Sequence, residues 1–439
     1  MKYDKFFELA KQAGIEEAEL HIDQSYRLDF SLFHGEVVKY SNNNAFSIVA
    51  RGKYNGKFAT ATSDVFNSVK AKFLVDEIVK NAKIIEDTDP IFIYEGSPKY
   101  KKISTFNKSL ELVSIDEKMA KLHQLEEKVK SLDPRIVEIQ TTNYSESMGT
   151  TSIINTKGLK LSQKSNYFAY ACVVVAKQGE QVKTGYDLFF DNDFSKFDVD
   201  DLAKKVVEAA TSQLGGEACP SGKYKAVLSP EVVSNLMGFY ISSASAEEIQ
   251  KNSSLFLGKL GQKIASSKIT IEDRPLSKNI FAKSFDDEGV ATNNRAIIKK
   301  GVLETYLYNL TTASKDGVAS TGNAVLSGKM GIAPNYLFLK PGKKSQEQLF
   351  EDVGNGVYIT EVSGLHAGMN PQSGNFSLQS TGFLIKDGKK DRPLDLITVS
   401  GNLMDIFKDV VAVGSDLKEF SDATSAPSLQ IKKLAVTGK

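Results

Sequence analysis

The segment Gly215-Gly-Glu-Ala-Cys-Pro-Ser-Gly222 splits the chain into halves with different hydrophobic rhythms, and this constrains the fold more than any other stretch. Before it, helical stripes flank groups of alternating strands. After it, one capped helix gives way to many short alternating segments joined by glycine-rich turns. The expected class is therefore α+β: N-terminal helix/β-meander units followed by a β-rich C-terminal domain with a long helix. The expected domains are residues 1–90, 109–216 and 223–439, in keeping with a length of 439 residues and a prior of about 150 residues per domain.

Within the first unit, residues 3–13 read as an amphipathic helix and Ala18–Phe33 as a strand. His34-Gly35-Glu36, Asn42-Asn43-Asn44 and Tyr54-Asn55-Gly56 carry turn chemistry. Ser63 or Asp64 is the expected cap of a helix whose apolar set is Val65, Phe66, Val69, Phe73, Leu74, Ile78 and Val79. A connection is expected from about Asp87 to Lys108. The second unit then reads as a helix over Ile115–Ser131, strands over Arg135–Tyr144, Thr150–Asn155, Asn166–Ala176 and Gln181–Phe189, and a helix over Val199–Leu214. Beyond residue 222, short strands are expected at Lys268–Ile271, Gly301–Leu307, Asn335–Lys340, Gly356–Val362 and Ser377–Lys386.

Hydrophobic content of 41% and charged content of 25% fit an ordinary globular protein with sizeable cores. A net charge of +1 supplies no global basic field, which weighs against direct nucleic-acid binding and membrane adhesion. Two cysteines make no disulfide framework, and the N-terminal residues show no apolar signal core, so the expected compartment is the cytoplasm.

Ser229 to Gln250 reads as one capped helix. Ser229 is the N-cap, Pro230 takes the first helical position, and Glu231 complements the positive end of the dipole. Val232, Val233, Leu236, Met237, Tyr240, Ile241 and Ala244 form its apolar stripe. Ser234, Asn235, Gly238, Ser242, Ser243 and Ser245 form a small-residue face that a strand or a ligand can approach closely.

The next segments carry a family likeness. They are Ser253–Ser266, Lys268-Ile-Thr-Ile-Glu-Asp-Arg-Pro275, Phe285-Asp-Asp-Glu-Gly-Val290, Gly301–Leu307, Ser320–Ala324, Gly364–Gln379 and Ser400–Phe407. Together they resemble the TldD/PmbA family of metallopeptidases, also called modulators of DNA gyrase, across nearly the whole chain. The resemblance implies that TldD-type subunits hold a metal through a His-Glu-three-residues-His element on this helix and a cysteine near the C-terminus. Those two histidines lie about 140° apart around a helix, so the active subunits need a distortion or a helix end there. This chain has only His21, His34, His123 and His366, none on the helix, and reads Ser-Asp-Ala-Thr-Ser-Ala-Pro-Ser over 421–428. It therefore resembles the PmbA-type subunit, also called TldE.

What the resemblance implies is a subunit with no cofactor of its own, zinc on a TldD-like partner, and unfolded peptides as substrates, with self-association left open. The alternatives are an autonomous hydrolase built from Asp286, Asp287, Glu288 and His366, or a non-enzymatic gyrase-associated binding protein. No catalytic or metal-ligating residue is assigned. The candidate groove and helix-face residues are Ser242, Ser243, Ser245, His366, Gly374, Asn375 and Phe376.

Each candidate has a plain structural reading beside the functional one. Serines without a neighbouring base are poor nucleophiles and poor zinc ligands, so the helix serines fit close packing. Asp286-Asp287-Glu288-Gly289 lacks the ligand spacing of an EF-hand and fits a turn. Gly216–Lys223 is one residue too long for a phosphate loop and fits a linker. Cys172 among apolar neighbours fits a core thiol. Gly374–Ile385 fits an internal strand, against the alternative of a peptide-accepting edge.

Overall fold

The computed structural model describes residues 3–86 and 90–439. In the N-terminal half, helix α1 (Asp4–Gln12) precedes the meander β1 (Glu17–Phe33), β2 (Glu36–Tyr54) and β3 (Lys57–Ser63), closed by α2 (Ser68–Ile84). Then α3 (Ile115–Leu132), β4 (Ile136–Asn155), β5 (Lys160–Gln178), β6 (Gln181–Asp191) and α4 (Val199–Thr211) repeat the plan. The two meanders are not separate sheets. β1 pairs with β4 from Glu19↔Asn155 to Leu32↔Thr142, giving one antiparallel sheet in the order β3-β2-β1-β4-β5-β6.

Local chemistry accounts for most of the boundaries. His34 (φ 54°) and Gly35 (φ 81°), then Asn55 (φ 49°) and Gly56 (φ 77°), make two-residue hairpin turns that need positive φ at both positions. Asn67, Ser114 and Asp198 accept first-turn N–H bonds and start α2, α3 and α4. Three expectations fail here. Asn42–Asn44 lies inside β2, where pairing with β1 overrides turn preference. The α2 cap is Asn67, not Ser63 or Asp64, so Val65 and Phe66 precede the helix, while Val69 and Phe73 face solvent. Arg135–Tyr144 and Thr150–Asn155 are parts of one strand, β4.

Two cores share one face of the sheet. Ala18, Leu20 and Ile22 of β1 pack with Phe6 of α1 and Leu74 and Ile78 of α2, whereas Leu28, Phe30 and Leu32 pack with Leu122 and Leu125 of α3 and, through β5, with α4. Between them Gln24 and Tyr26 lie in a trough of about 450 Å³ with Phe46 and Met148. The connecting segment, whose expected start at Asp87 lies outside the described residues, docks as a strap. Arg51 reaches the Phe92 carbonyl (3.4 Å), Asn155 donates to that of Tyr94 (2.7 Å), and the Tyr100 hydroxyl donates to that of Gly289 (2.7 Å).

The C-terminal half starts with β7 (Gly222–Leu228), α5 (Pro230–Ser242) and α6 (Ala246–Gln250), then runs through β8 (Ile271–Asp273), β9 (Arg295–Lys299), β10 (Val302–Leu303), α7 (Leu310–Asp316), the hairpin β11 (Ala324–Ser327) and β12 (Lys329–Ile332), β13 (Leu337–Leu339) and α8 (Gln346–Val353). It continues with β14 (Gly356–Ser363), α9 (Leu365–Gly368), β15 (Asn375–Lys386), β16 (Lys389–Asn402), α10 (Leu403–Lys408), β17 (Val410–Val413), β18 (Lys418–Phe420), β19 (Thr424–Ala426) and β20 (Leu429–Thr437). Two six-stranded sheets result, β10-β9-β8-β13-β19-β18 and β16-β15-β14-β7-β20-β17, with α5 packed into the core between them. The architecture is α+β with a β-rich C-terminal half. Among the described residues no helix is long and apolar enough to cross a membrane.

Candidate functional site

Helix α5 is positioned by its cap and its apolar stripe. The Ser229 hydroxyl accepts the Val232 N–H (3.3 Å) and donates to the Thr360 carbonyl (3.0 Å), fixing the helix start to β14. Val232, Val233, Leu236, Met237, Tyr240 and Ile241 are buried. The Tyr240 ring stacks on Phe407 at 4.2 Å, and its hydroxyl donates to the Ile264 carbonyl (2.9 Å).

The single helix expected over 229–250 is in fact two. α5 stops at Ser242 because Ala244 and Ala246 leave the helical ladder to exchange backbone bonds with Leu307 (2.8 and 2.9 Å). Ser242 is exposed and donates to the Phe239 carbonyl (2.8 Å). Ser243 is buried, and its carbonyl accepts the Ser254 hydroxyl (2.5 Å). Ser245 forms the bridge to Leu307. No imidazole bonds these three hydroxyls among the described residues. On the outer side Asn235, Gly238 and Phe239 are half-buried, and a side chain at Gly238 would meet nothing within 4 Å. The break leaves an open strip of helix at Asn235, Gly238 and Phe239.

Asn235, Ser229 and Glu231 form one wall of a cleft of about 680 Å³ between the two halves of the chain. The opposite wall is Thr184–Leu188 of β6, the last strand of the first sheet, together with Lys205 and Glu208 of α4. Tyr358, Phe383 and Phe420 add aromatic surface. The charges pair off: Lys418 contacts Glu231 at 2.5 Å, and Lys390 lies 4.0 Å from Glu208 and 4.7 Å above the Phe383 ring. Burial works to lower the Lys418 ammonium, but Glu231 and Asp187 outweigh it and hold it above the usual lysine value. An edge strand beside paired charges and rings can accept an extended chain through backbone bonds, which read no particular sequence. Sequence reading found β6 but not this cleft, because its two walls come from segments far apart in the chain.

Gly374, with Asn375 and Phe376 after it at the start of β15, is tied to the α5 break through the loop holding Ser254 and Leu255. Gly374 packs against Leu255, 3.1 Å from where a Cβ would stand. Asn375 accepts from Asn402 (2.8 Å) and Phe376 is buried. His366 is exposed on the one-turn helix α9. β15 pairs with β16 from Asn375 and with β14 from Gln379 onward, and Phe376 is bridged to Met369, so most of the strand is internal to its sheet.

The acidic turn is structural. Asp286 is fully buried and accepts the N–H groups of Glu288 (3.0 Å), Val290 (2.9 Å) and Ala324 (2.9 Å). Asp287 accepts from Leu326 (2.7 Å), and Glu288 from Leu310 (2.7 Å). Burial drives the Asp286 carboxyl up to about 7 against its three donors, and burial with the Asp286 charge drives Glu288 up to about 8. Carboxylates committed to backbone donors offer no free acid–base pair for His366. Cys172 is buried, and burial pushes its thiol up to about 12, the behaviour of a core residue. Among the described residues no group of three or more His, Cys, Asp or Glu side chains could hold a metal ion.

Comparison with known proteins gives a consistent pattern. Residues 108–214 match the model of the PmbA/TldA metallopeptidase central domain, and residues 221–438 that of the PmbA/TldA metallopeptidase C-terminal domain. A metalloprotease PmbA homolog of Haemophilus influenzae is 26% identical, over 98% of this chain and 94% of that protein. A crystal structure of a putative modulator of a DNA gyrase from Thermotoga maritima is 31% identical, covers 99% of both chains and superposes with a TM-score of 0.91. TldE from Thermococcus kodakarensis, at 21% identity, shares the fold with a TM-score of 0.91 over 100% of both chains.

Proposed function

The chain belongs to the PmbA/TldD metallopeptidase family, and from that premise we propose that it is the metal-free, PmbA/TldE-like subunit of a cytoplasmic peptidase complex. A TldD-like partner supplies the zinc, and unfolded peptides are the substrate. One contact carries this reading. Ser234 of α5 hydrogen-bonds to Thr424 of β19, so the helix and the late segment on which the resemblance places the ligands of TldD-type subunits meet here through two hydroxyls. Hydroxyls do not fit a zinc site that needs imidazole or thiolate. The cleft beside α5 and β6 is the surface that would guide a peptide toward the partner.

Elemental analysis of the mildly purified chain tests the metal assignment. The expected result is well under one zinc per chain. A stoichiometric zinc lost on changing His366 or the acids at 286–288 would overturn it. A second expectation concerns His366 itself. His366→Ala is expected to leave the activity of the assembled complex within about tenfold of the parent, because an exposed imidazole with no paired nucleophile positions rather than reacts. Complete loss of activity with intact assembly would place His366 in the chemistry.

A further inference from the structure

The cleft between α5 and β6 holds more acid than base. Asp187, Glu208, Glu231, Glu361 and Glu419 line it, against Lys205, Lys390 and Lys418. Each of these lysines is already taken. Lys205 pairs with Asp201 of α4 at 2.7 Å, Lys390 lies 4.0 Å from Glu208, and Lys418 contacts Glu231 at 2.5 Å. Asp187, Glu361 and Glu419 then have no cation within ion-pair distance among the described residues. Asp187 accepts the Leu188 N–H (2.7 Å), Glu419 accepts the Tyr336 hydroxyl (2.6 Å) and the Asn279 amide (3.0 Å), and Glu361 is exposed. These bonds orient the carboxylates without neutralising them.

The chain's own lysines show how this surface treats a cation. The Lys418 ammonium lies between Glu231 and the Phe420 ring, 5.6 Å from its centre, and that of Lys390 lies between Glu208 and the Phe383 ring at 4.7 Å. A carboxylate on one side and a ring face on the other is an arrangement that favours ammonium and guanidinium groups. We propose that this cleft selects cationic segments of unfolded peptides, with Asp187, Glu361 and Glu419 drawing the lysine and arginine side chains of a chain laid along β6. This selection rests on the reading of the cleft as a peptide path and adds which peptides it takes. Backbone pairing along β6 reads no side chain, so charge supplies the discrimination. Asp187 stands on β6, Glu361 on β14 and Glu419 on β18. A chain between the walls therefore meets negative potential from both, and a glutamate-rich segment is repelled.

Two unstructured fluorescent peptides of equal length and apolar content, one carrying lysines and the other glutamates at the same positions, test this by anisotropy against the intact chain. The lysine peptide is expected to bind about fivefold or more tightly at low salt, and the gap should close as salt rises. Asp187→Asn with Glu361→Gln keeps the acceptor for the Leu188 N–H and should remove most of the preference. Glu361→Lys alone, at an exposed position, should lower it several-fold. Equal binding of the two peptides would overturn the selection while leaving the peptide path in place. A lysine preference that survives both variants would overturn it too, because the cations would be held elsewhere. Failure of both peptides to bind would remove the path and the selection together.

Discussion

Asp286→Asn is expected to destabilise the chain by about 3 kcal/mol or more, whereas Glu288→Gln is expected to be nearly neutral at pH 5 and stabilising at pH 9. Both carboxyls are buried and both have raised values, so the opposite outcomes come from their donors. Asp286 uses one oxygen for two N–H groups and the other for the Ala324 N–H. An asparagine amide has one acceptor oxygen, so its NH₂ would be forced against a backbone N–H. Glu288 uses a single oxygen, toward Leu310, and a glutamine oxygen can take that place.

The pH dependence follows from the direction of the Glu288 shift. A carboxyl raised in the folded state contributes its full stability below the unfolded value, here 4.5, and loses it as pH rises toward about 8. Ionised Glu288 then lies near Asp286 and Glu19, opposed by the Leu310 N–H and the Arg51 charge. The difference between variant and parent should therefore grow from near zero at pH 5 to a few kcal/mol at pH 9. Urea denaturation at the two pH values measures it. A variant that tracks the parent at both would show that Glu288 stays ionised and satisfied throughout.

What the sequence made legible was local, and what it hid was mostly pairing at a distance. His34-Gly35 and Asn55-Gly56 were readable as turns because left-handed backbone needs those residue types. Asn42–Asn44 has the same local chemistry, yet it lies in β2 because a long ladder with β1 outweighs turn preference. The polar centre of β4, around Ser145–Gly149, looked like a break because the trough between two helix-covered cores leaves that part of the sheet without a packed partner. Val69 and Phe73 fitted a helical stripe with Leu74 and Ile78, but α2 buries Leu74 and Ile78 together with Ala71 and Val75 and leaves Val69 and Phe73 in solvent. The split of α5 from α6 was hidden because it answers to Leu307, about sixty residues away. At the candidate site, the missing histidines were readable directly. The contact between Ser234 and Thr424 and the cleft along β6 were not.

The largest functional effect is expected from mixing subunits. Incubated alone with an unfolded polypeptide, this chain should leave the substrate intact even with zinc added, because serine and threonine hydroxyls on α5 and β19 cannot hold a metal that turns bound water into a nucleophile near neutral pH. Adding a histidine-bearing TldD-like partner should switch cleavage on. A chelator should abolish it, as should replacing the partner's metal-binding histidines. Changing Ser242, Ser243 and Ser245 to alanine here should act differently. The Ser242 hydroxyl donates to the Phe239 carbonyl, whereas the Ser243 bond to Ser254 is made by its main-chain carbonyl and survives the change, so the triple change should at most raise KM or weaken assembly while sparing kcat in whatever complex forms. Peptide cleavage followed for each subunit alone, then together, then with chelator, separates these effects. Robust chelator-insensitive cleavage by this chain alone would sink the division of labour. The acids at 286–288 already bond backbone N–H groups, so a search for the nucleophile would begin in the cleft between α5 and β6.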